Sequence, residues 1–112
     1  MLSRSRKAKG RRLQNKVREI LLENFDELEP EDIKTAIMGE SGEDIHMSPA
    51  ARRLIPLSIE CKNQESLNIW KSHEQAEINC GEHTPCVVFK RNKSKTYISL
   101  EFDKFIELLK GN

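Results

Sequence analysis

The chain has 112 residues, which is enough for one domain around one hydrophobic core. Hydrophobic residues make up 37% and charged residues 33% of the chain, and no apolar run approaches the roughly 20 residues that a membrane-spanning helix needs, so the composition excludes a membrane protein. The three cysteines are too few for a secreted disulfide scaffold and favour a reducing, cytoplasmic compartment.

Charge is distributed unevenly along the chain, although the net charge is only +1. Residues 1–18 hold eight basic side chains and no acidic one, whereas residues 19–44 hold ten acidic side chains and a single lysine. A basic segment of this kind indicates either a polyanionic partner or a solubilising tail. We expect residues 1–10 to form a flexible basic arm and residues 11–112 to form a single folded domain.

Apolar periodicity predicts the elements of the first half. From about Arg11 to Phe25, apolar residues recur at steps of three and four, which predicts an amphipathic helix that ends before Pro30. Residues 31–38 alternate like a strand but also fit a short helix, and we favour the strand. Residues 39–42 contain two glycines among polar residues, which predicts a loop.

Strands and helices alternate in the second half. We expect strands over residues 44–47, 55–62, 84–90 and 95–100, turns over 48–51 and 91–94, a helix capped by Ser66 or Asn68 that runs to about Asn79, and a helix from Phe102 onward. The first turn should leave Arg52 and Arg53 exposed. Together these elements predict an α/β fold in which helices flank a small mixed β-sheet.

Asp44, Glu60 and Lys62 carry the strongest chemical signal. Glu60 and Lys62 lie two apart on a predicted strand and therefore project from the same face. If Asp44 begins a neighbouring strand, its carboxylate converges on Glu60. Two adjacent carboxylates stay ionised only beside a cation, which Lys62 supplies in part and a hard divalent ion such as Mg²⁺ could complete. The alternative is a Glu–Lys pair on the outer face of an ordinary strand.

A divalent ion at this position would suit phosphodiester chemistry. It can polarise the phosphodiester and help to generate hydroxide from bound water. The backbone carbonyl of Cys61, between Glu60 and Lys62, would be a further ligand. Lys62 would hold the water or neutralise the charge that develops on the phosphate.

The order of these residues resembles the PD-(D/E)XK nuclease motif, and the wider pattern is similar to phage-encoded and archaeal-type Holliday-junction resolvases. The segments that carry the resemblance are Lys9–Arg12, Met38–Ile45, Ile59–Asn63, Gln75 and Pro85–Lys90. The resemblance covers nearly the whole chain. Its acidic motif is short, so the order of the motif within matching elements is the specific part.

The resemblance implies a restriction-endonuclease-like fold and a Mg²⁺-dependent endonuclease, for which Mn²⁺ could substitute, that cuts branched DNA. Such an enzyme is usually a homodimer, whose two-fold symmetry matches that of a four-way junction. If the protein is viral, the compartment is the host cytoplasm. By position, Asp44 and Glu60 match the metal-binding acids, Lys62 matches the catalytic lysine, and Gln75 matches a polar residue on the helix behind the site.

On this interpretation, basic side chains bind DNA phosphates without reading the bases. The candidate DNA-binding residues are Arg4, Arg6, Lys7, Lys9, Arg11 and Arg12 in the arm, together with Arg52 and Arg53. Lys90, Arg91, Lys93 and Lys95 could extend this surface.

The chain departs from the resolvase pattern in two places. Glu43 stands where the family has a proline before the first acid. Gln14 stands at the spacing of a metal-site glutamate that archaeal relatives carry in the first helix, so Glu19 or Glu40 would have to substitute.

Three other functions remain open at this point. The chain could be another nuclease of the same superfamily that acts on flap, end or duplex DNA. It could be a non-catalytic nucleic-acid-binding module whose acids are structural. The spacing of Cys80, His83 and Cys86, with His73 upstream, is also compatible with zinc, although a buried thiol at Cys86 is the simpler interpretation.

Overall fold

The computed structural model describes residues 4–37 and 42–111. The helices within these ranges are α1 (Arg4–Asn24), α2 (Pro49–Leu54), α3 (Ile69–Asn79) and α4 (Phe102–Leu109). The strands are β1 (Ile33–Thr35), β2 (Ile45–Met47), β3 (Leu57–Asn63), β4 (Thr84–Lys90) and β5 (Tyr97–Leu100). A 3₁₀ turn over Pro30–Asp32 leads into β1.

The strands form two small sheets. β3 and β4 run parallel and are connected through α3, whereas β4 and β5 form an antiparallel hairpin. β1 and β2 form a separate antiparallel pair. The α/β fold with a small mixed sheet between helices, which the sequence predicts, is therefore confirmed.

Helices α1 and α3 lie on opposite faces of the three-stranded sheet at β3. Alternate side chains of β3, Ile59 and Cys61, join Leu13 and Val17 of α1 in the main hydrophobic core. The other face of β3 carries Ser58, Glu60 and Lys62 and lies beneath α3. Both faces of the middle of β3 are buried, so a charged residue at position 60 costs stability unless a partner compensates for its charge.

Asp44 connects the two sheets. Its backbone N–H donates to the Ile59 carbonyl of β3 at 3.0 Å, and its own carbonyl accepts from Ala36 N–H, just after β1, at 2.9 Å. The edge of β3 that does not pair with β4 is therefore bonded to the residue directly before β2. This connection fixes the backbone of Asp44 beside β3.

Two predicted elements of the first half differ from the structure. The first helix begins at Arg4 and not near Arg11, so residues 4–10 continue α1 and do not form an arm. Residues 49–54 form helix α2 where a turn was expected, because Pro49 suits the first helical position and the Ser48 hydroxyl accepts from Ala51 N–H. The predicted loop over 39–42 lies outside the described residues except for Gly42.

The remaining elements occur where the sequence predicts them. Asn68, one of the two expected caps, begins α3 by accepting a hydrogen bond from Lys71 N–H. Residues 31–35 contain both alternatives that the sequence left open, since a 3₁₀ turn is followed at once by β1. None of the helices in the described ranges combines the length with the apolar composition that crossing a membrane requires.

Candidate active site

Asp44 is held against the backbone of β3 by its side chain as well as by its main chain. Its Oδ2 accepts a hydrogen bond from Cys61 N–H at 2.7 Å. This contact occupies one oxygen and directs the carboxyl group toward the face of β3 that carries Glu60. The predicted convergence of the two acids is present, since Asp44 and Glu60 line one cleft and the charge of Asp44 raises the pKa of Glu60.

Glu60 is almost completely buried, with 2% of its surface exposed. Asn79, the last residue of α3, donates from Nδ2 to Glu60 Oε1 at 2.9 Å and to the Gly42 carbonyl at 3.3 Å. Asn79 thus connects the acid on β3 to the segment that leads to Asp44. The sequence interpretation missed Asn79, although it lies four residues after Gln75 and therefore on the same face of α3.

Burial makes both carboxyl groups hard to ionise, and the charge of Asp44 adds to this effect at Glu60. Burial is the largest cause for Glu60, and with the neighbouring charge of Asp44 it raises the pKa of Glu60 to about 7, although the Asn79 hydrogen bond opposes this. Burial also raises the pKa of Asp44 above its ordinary value, against the lowering effect of Cys61 N–H. A cation between the two groups would relieve both effects.

Lys62 extends the same face of β3 toward solvent. Its Nζ donates to Gln75 Oε1 at 3.0 Å, so Gln75, which the resemblance places on the helix behind the site, lies on α3 beside Lys62. The ammonium group also stabilises the charged forms of both carboxyl groups. Lys62 therefore has a defined position beside the acids.

The donor set fits a hard divalent cation. Backbone N–H and C=O groups of one strand residue point to the same side, so the Cys61 carbonyl lies on the Asp44 side of β3 with its N–H. Two carboxylates and a carbonyl are oxygen ligands of the type that Mg²⁺ takes, and water and phosphate oxygens usually complete its coordination. Within residues 4–37 and 42–111, no three His, Cys, Asp or Glu side chains group around one metal position.

Helix α1 forms the opposite wall of this site. A cleft of about 170 Å³ lies between it and the acids, and its α1 wall consists of Arg6, Lys7, Gly10 and Gln14. Asn63, at the end of β3, donates to the Lys9 carbonyl at 3.2 Å and so holds this part of α1 beside the sheet. We call this cleft, between α1 and the residues Asp44, Glu60 and Lys62, the acidic cleft.

The structure shows the positions of two of the three residues considered as an additional metal ligand. Gln14 lines the acidic cleft, whereas Glu19 lines a different cleft with Arg12 and Lys16. Glu40 lies outside the described residues. Gln14 can contribute an amide oxygen to the site but no charge.

Arg52 is not the exposed residue that the sequence predicts. Its side chain is mostly buried, forms an ion pair with Glu43, and donates to the Leu57 carbonyl at 2.7 Å. These contacts connect the residue before Asp44 to the start of β3. Arg53, one residue later, is exposed as expected.

The other basic candidates lie on different sides of α1. Arg6 and Lys7 line the acidic cleft, Arg12 lines the cleft that contains Glu19, and Arg4 and Arg11 are exposed. Lys9 is half-buried. In place of the predicted flexible basic arm, residues 4–10 form the first turns of α1, which present Arg6 and Lys7 to the acids.

The residues with zinc-like spacing have other partners. Cys86 is buried in the core, the Cys80 thiol donates to the Glu77 carbonyl, and His73 is hydrogen-bonded to Ser99. His83 joins no metal-binding group of three among the described residues. This arrangement provides no basis for a zinc site.

No known family model, curated protein or solved structure matches this chain. The assignment of its function therefore depends on the geometry of the site.

Proposed function

We propose that this protein is a metal-dependent endonuclease that hydrolyses phosphodiester bonds in branched DNA, with a four-way junction as substrate. The observation that carries the proposal is the convergence of Asp44, Glu60 and Lys62 on one cleft whose facing wall is basic. A structural ion pair would account for Glu60 and Lys62 alone. It would not account for a second, partly buried acid beside Glu60, because the repulsion costs stability unless a cation is bound.

Each residue of the acidic cleft would have a separate role in the reaction. Asp44, Glu60 and the Cys61 carbonyl would hold the divalent ion, and Lys62 would neutralise charge on the phosphate as it becomes more negative. Gln75 would keep the Lys62 ammonium in position through its hydrogen bond. When bound, Mg²⁺ supplies polarisation of the phosphate and a lower pKa for the attacking water.

The substrate proposal rests on the basic wall and on symmetry. Arg6 and Lys7 would bind the phosphates beside the scissile bond, which confers affinity without base recognition. Selectivity for branched DNA would then come from the shape of the junction. A homodimer would bring two such sites to the two-fold axis of a four-way junction.

A surface suited to dimer formation lies on α4. Phe102, Phe105, Ile106 and Leu109 share one stripe of this helix, yet no residue of α4 is buried. Phe102 is 71%, Phe105 42% and Leu109 67% exposed. Covering these three side chains in both copies would remove roughly 700 Å² of apolar surface, which is most of the apolar part of a standard interface of about 1,600 Å². A second copy of the chain is therefore the proposed occupant.

The proposal is tested by incubating the purified protein with a labelled four-way junction, a flap, a linear duplex and a single strand, with and without Mg²⁺. We expect Mg²⁺-dependent cleavage of the junction in preference to the linear duplex. Cleavage of flaps or duplexes alone would keep the nuclease chemistry and replace the substrate. Binding without cleavage in either Mg²⁺ or Mn²⁺ would contradict the proposal and leave a non-catalytic nucleic-acid-binding module.

A further inference from the structure

We propose that a pocket beside the acidic cleft binds one unpaired nucleobase of the DNA strand. The pocket has a volume of about 330 Å³, and an aromatic pair, Phe89 and Tyr97, lies within its wall. This inference rests on the proposed function, because the strand whose base enters the pocket is the one whose phosphate lies in the acidic cleft. We call it the aromatic pocket.

The aromatic pocket presents a stacking surface. The rings of Phe89 and Tyr97 lie 6.0 Å apart at an interplanar angle of 31°, and Leu67 and Ile69 complete the apolar wall. Tyr97 lies on the edge strand β5 and is 55% exposed, so its ring is accessible to a ligand. Stacking on aromatic side chains tolerates any base, because every base has a π-face.

The rim of the pocket is positively charged. Lys90 and Arg91 line it, and Lys93 and Lys95 lie in the same turn between β4 and β5. The one acid in the wall, Glu65, accepts a hydrogen bond from Asn92 N–H at 2.6 Å, so it is used to order this turn. Cations around an aromatic floor suit a nucleotide, which carries a phosphate beside a flat base, better than they suit an uncharged apolar ligand.

The sheet aligns this pocket with the catalytic residues. Lys62 of β3 lies opposite Phe89 of β4, and Phe89 lies opposite Tyr97 of β5, so the three form one row across the α3 face of the sheet. Neighbouring strands are about 4.8 Å apart, which places the backbones of Lys62 and Tyr97 about 10 Å apart. A base on Tyr97 would thus belong to a nucleotide roughly one to three positions from the phosphate at Lys62.

The space between the two sites is open. A further cleft of about 180 Å³ shares Lys62, Gln64 and Gln75 with the acidic cleft and shares Gln64 and Leu67 with the aromatic pocket. The three clefts therefore adjoin along the end of α3. A single strand can follow this path, whereas a base that remains paired in a duplex cannot enter the pocket.

The test uses the full-length wild-type protein in EDTA, where no cleavage is required. The probe is a short single-stranded oligonucleotide with one 2-aminopurine, whose fluorescence falls when the base stacks on an aromatic ring. We expect binding to quench the probe in the wild type and in Tyr97→Phe. In Tyr97→Ala we expect the quenching to disappear and the affinity to fall roughly ten-fold. Ile98→Ala is the matched control, since Ile98 is similarly exposed but lies on the opposite face of β5.

The outcomes separate this inference from the nuclease proposal. Quenching and affinity that are unchanged in Tyr97→Ala would overturn the base-binding pocket, even if the protein cuts junctions in Mg²⁺. Equal losses in Tyr97→Ala and Ile98→Ala would also overturn it, because they would indicate a general effect on β5. Tyr97-dependent quenching in a protein that cuts no substrate would support the pocket and contradict the nuclease.

Discussion

At the residue scale, the buried carboxyl group of Glu60 lowers the stability of the fold, although the proposed chemistry requires it. Its carboxyl group lies inside the domain between Asp44 and Asn79, where a neutral group would be more stable than a charged one. The site is therefore expected to be destabilising in the metal-free protein and to be relieved when a cation binds. This expectation leads to a measurable dependence on pH.

In EDTA, the free energy of unfolding should fall as the pH rises through the window set by Glu60. Between its ordinary pKa of 4.5 and its folded pKa of about 7, the folded chain keeps a proton that the unfolded chain has released. The unfolded state then binds fewer protons, so stability decreases with rising pH, by up to about 3 kcal/mol across the window. Urea unfolding at pH 5 and pH 8 measures the difference.

Glu60→Gln tests the cause of that difference. The glutamine amide can accept from Asn79 and donate to Asp44, and it carries no charge at any pH. We expect this variant to exceed the wild type in stability at pH 8 by about 1–3 kcal/mol and to lose most of the pH dependence. Glu74→Gln, on the exposed part of α3, is the control and should change stability by less than about 0.5 kcal/mol. A Glu60→Gln variant that is less stable than the wild type at pH 8 would show that burial of the Glu60 charge does not lower the stability of the protein.

At the element scale, the registration of α1 on the sheet determines which basic residues face the site. Leu13 and Val17 enter the core, and this contact orients Arg6 and Lys7 toward the acidic cleft. Helical periodicity places Arg12 and Lys16 on another side of the same helix. The basic residues of α1 are therefore not expected to be equivalent in DNA binding.

Removal of two charges from each side of α1 tests this difference. The double variant Arg6→Gln and Lys7→Gln should weaken binding to DNA, and more strongly at low salt than at high salt. The slope of log affinity against log salt should fall by about 2, since each lost phosphate contact contributes about 0.9. Arg12→Gln with Lys16→Gln removes the same charge from the other side and should have a smaller effect. Equal effects of the two double variants would indicate general charge attraction and contradict a binding wall at the acidic cleft.

At the scale of the whole molecule, the exposed apolar stripe of α4 predicts association into a dimer. We expect light scattering to give the mass of two chains for the wild type and of one chain for Leu109→Lys, because a lysine there places a charge in the apolar interface. Glu107→Gln changes the charge of the same helix by the same amount on its polar side and should remain dimeric. A wild type with the mass of one chain would rule out this surface as a dimer interface.

Local patterns account for most of the fold and for part of the site. The alternation of β3, the Asn68 cap and the turn between β4 and β5 are local signals, and the elements they predict are present. The extension of α1 to Arg4 could not be predicted from apolar periodicity, because its first turns contain almost no apolar residue. Helix α2 was missed because Pro49 fits a turn as well as a first helical turn.

The parts of the site that were not predicted depend on contacts between distant residues. Arg52 and Glu43 are charged residues of a type that usually lies on the surface. Only the packing of α2 beside β3 brings them together. Asn79 reaches Glu60 through the placement of α3 over the sheet, which no short motif encodes. The alternation of β3 predicted the shared face of Glu60 and Lys62, because it involves neighbours on one strand.

The most direct test of the central claim is the cleavage of a four-way junction in Mg²⁺ by variants of the three converging side chains. We predict that Asp44→Asn, Glu60→Gln and Lys62→Ala each abolish cleavage while the protein still binds the junction, and that Glu74→Gln cuts at the rate of the wild type. Cleavage at the wild-type rate by any of the three site variants would contradict the assignment of the acidic cleft as the active site.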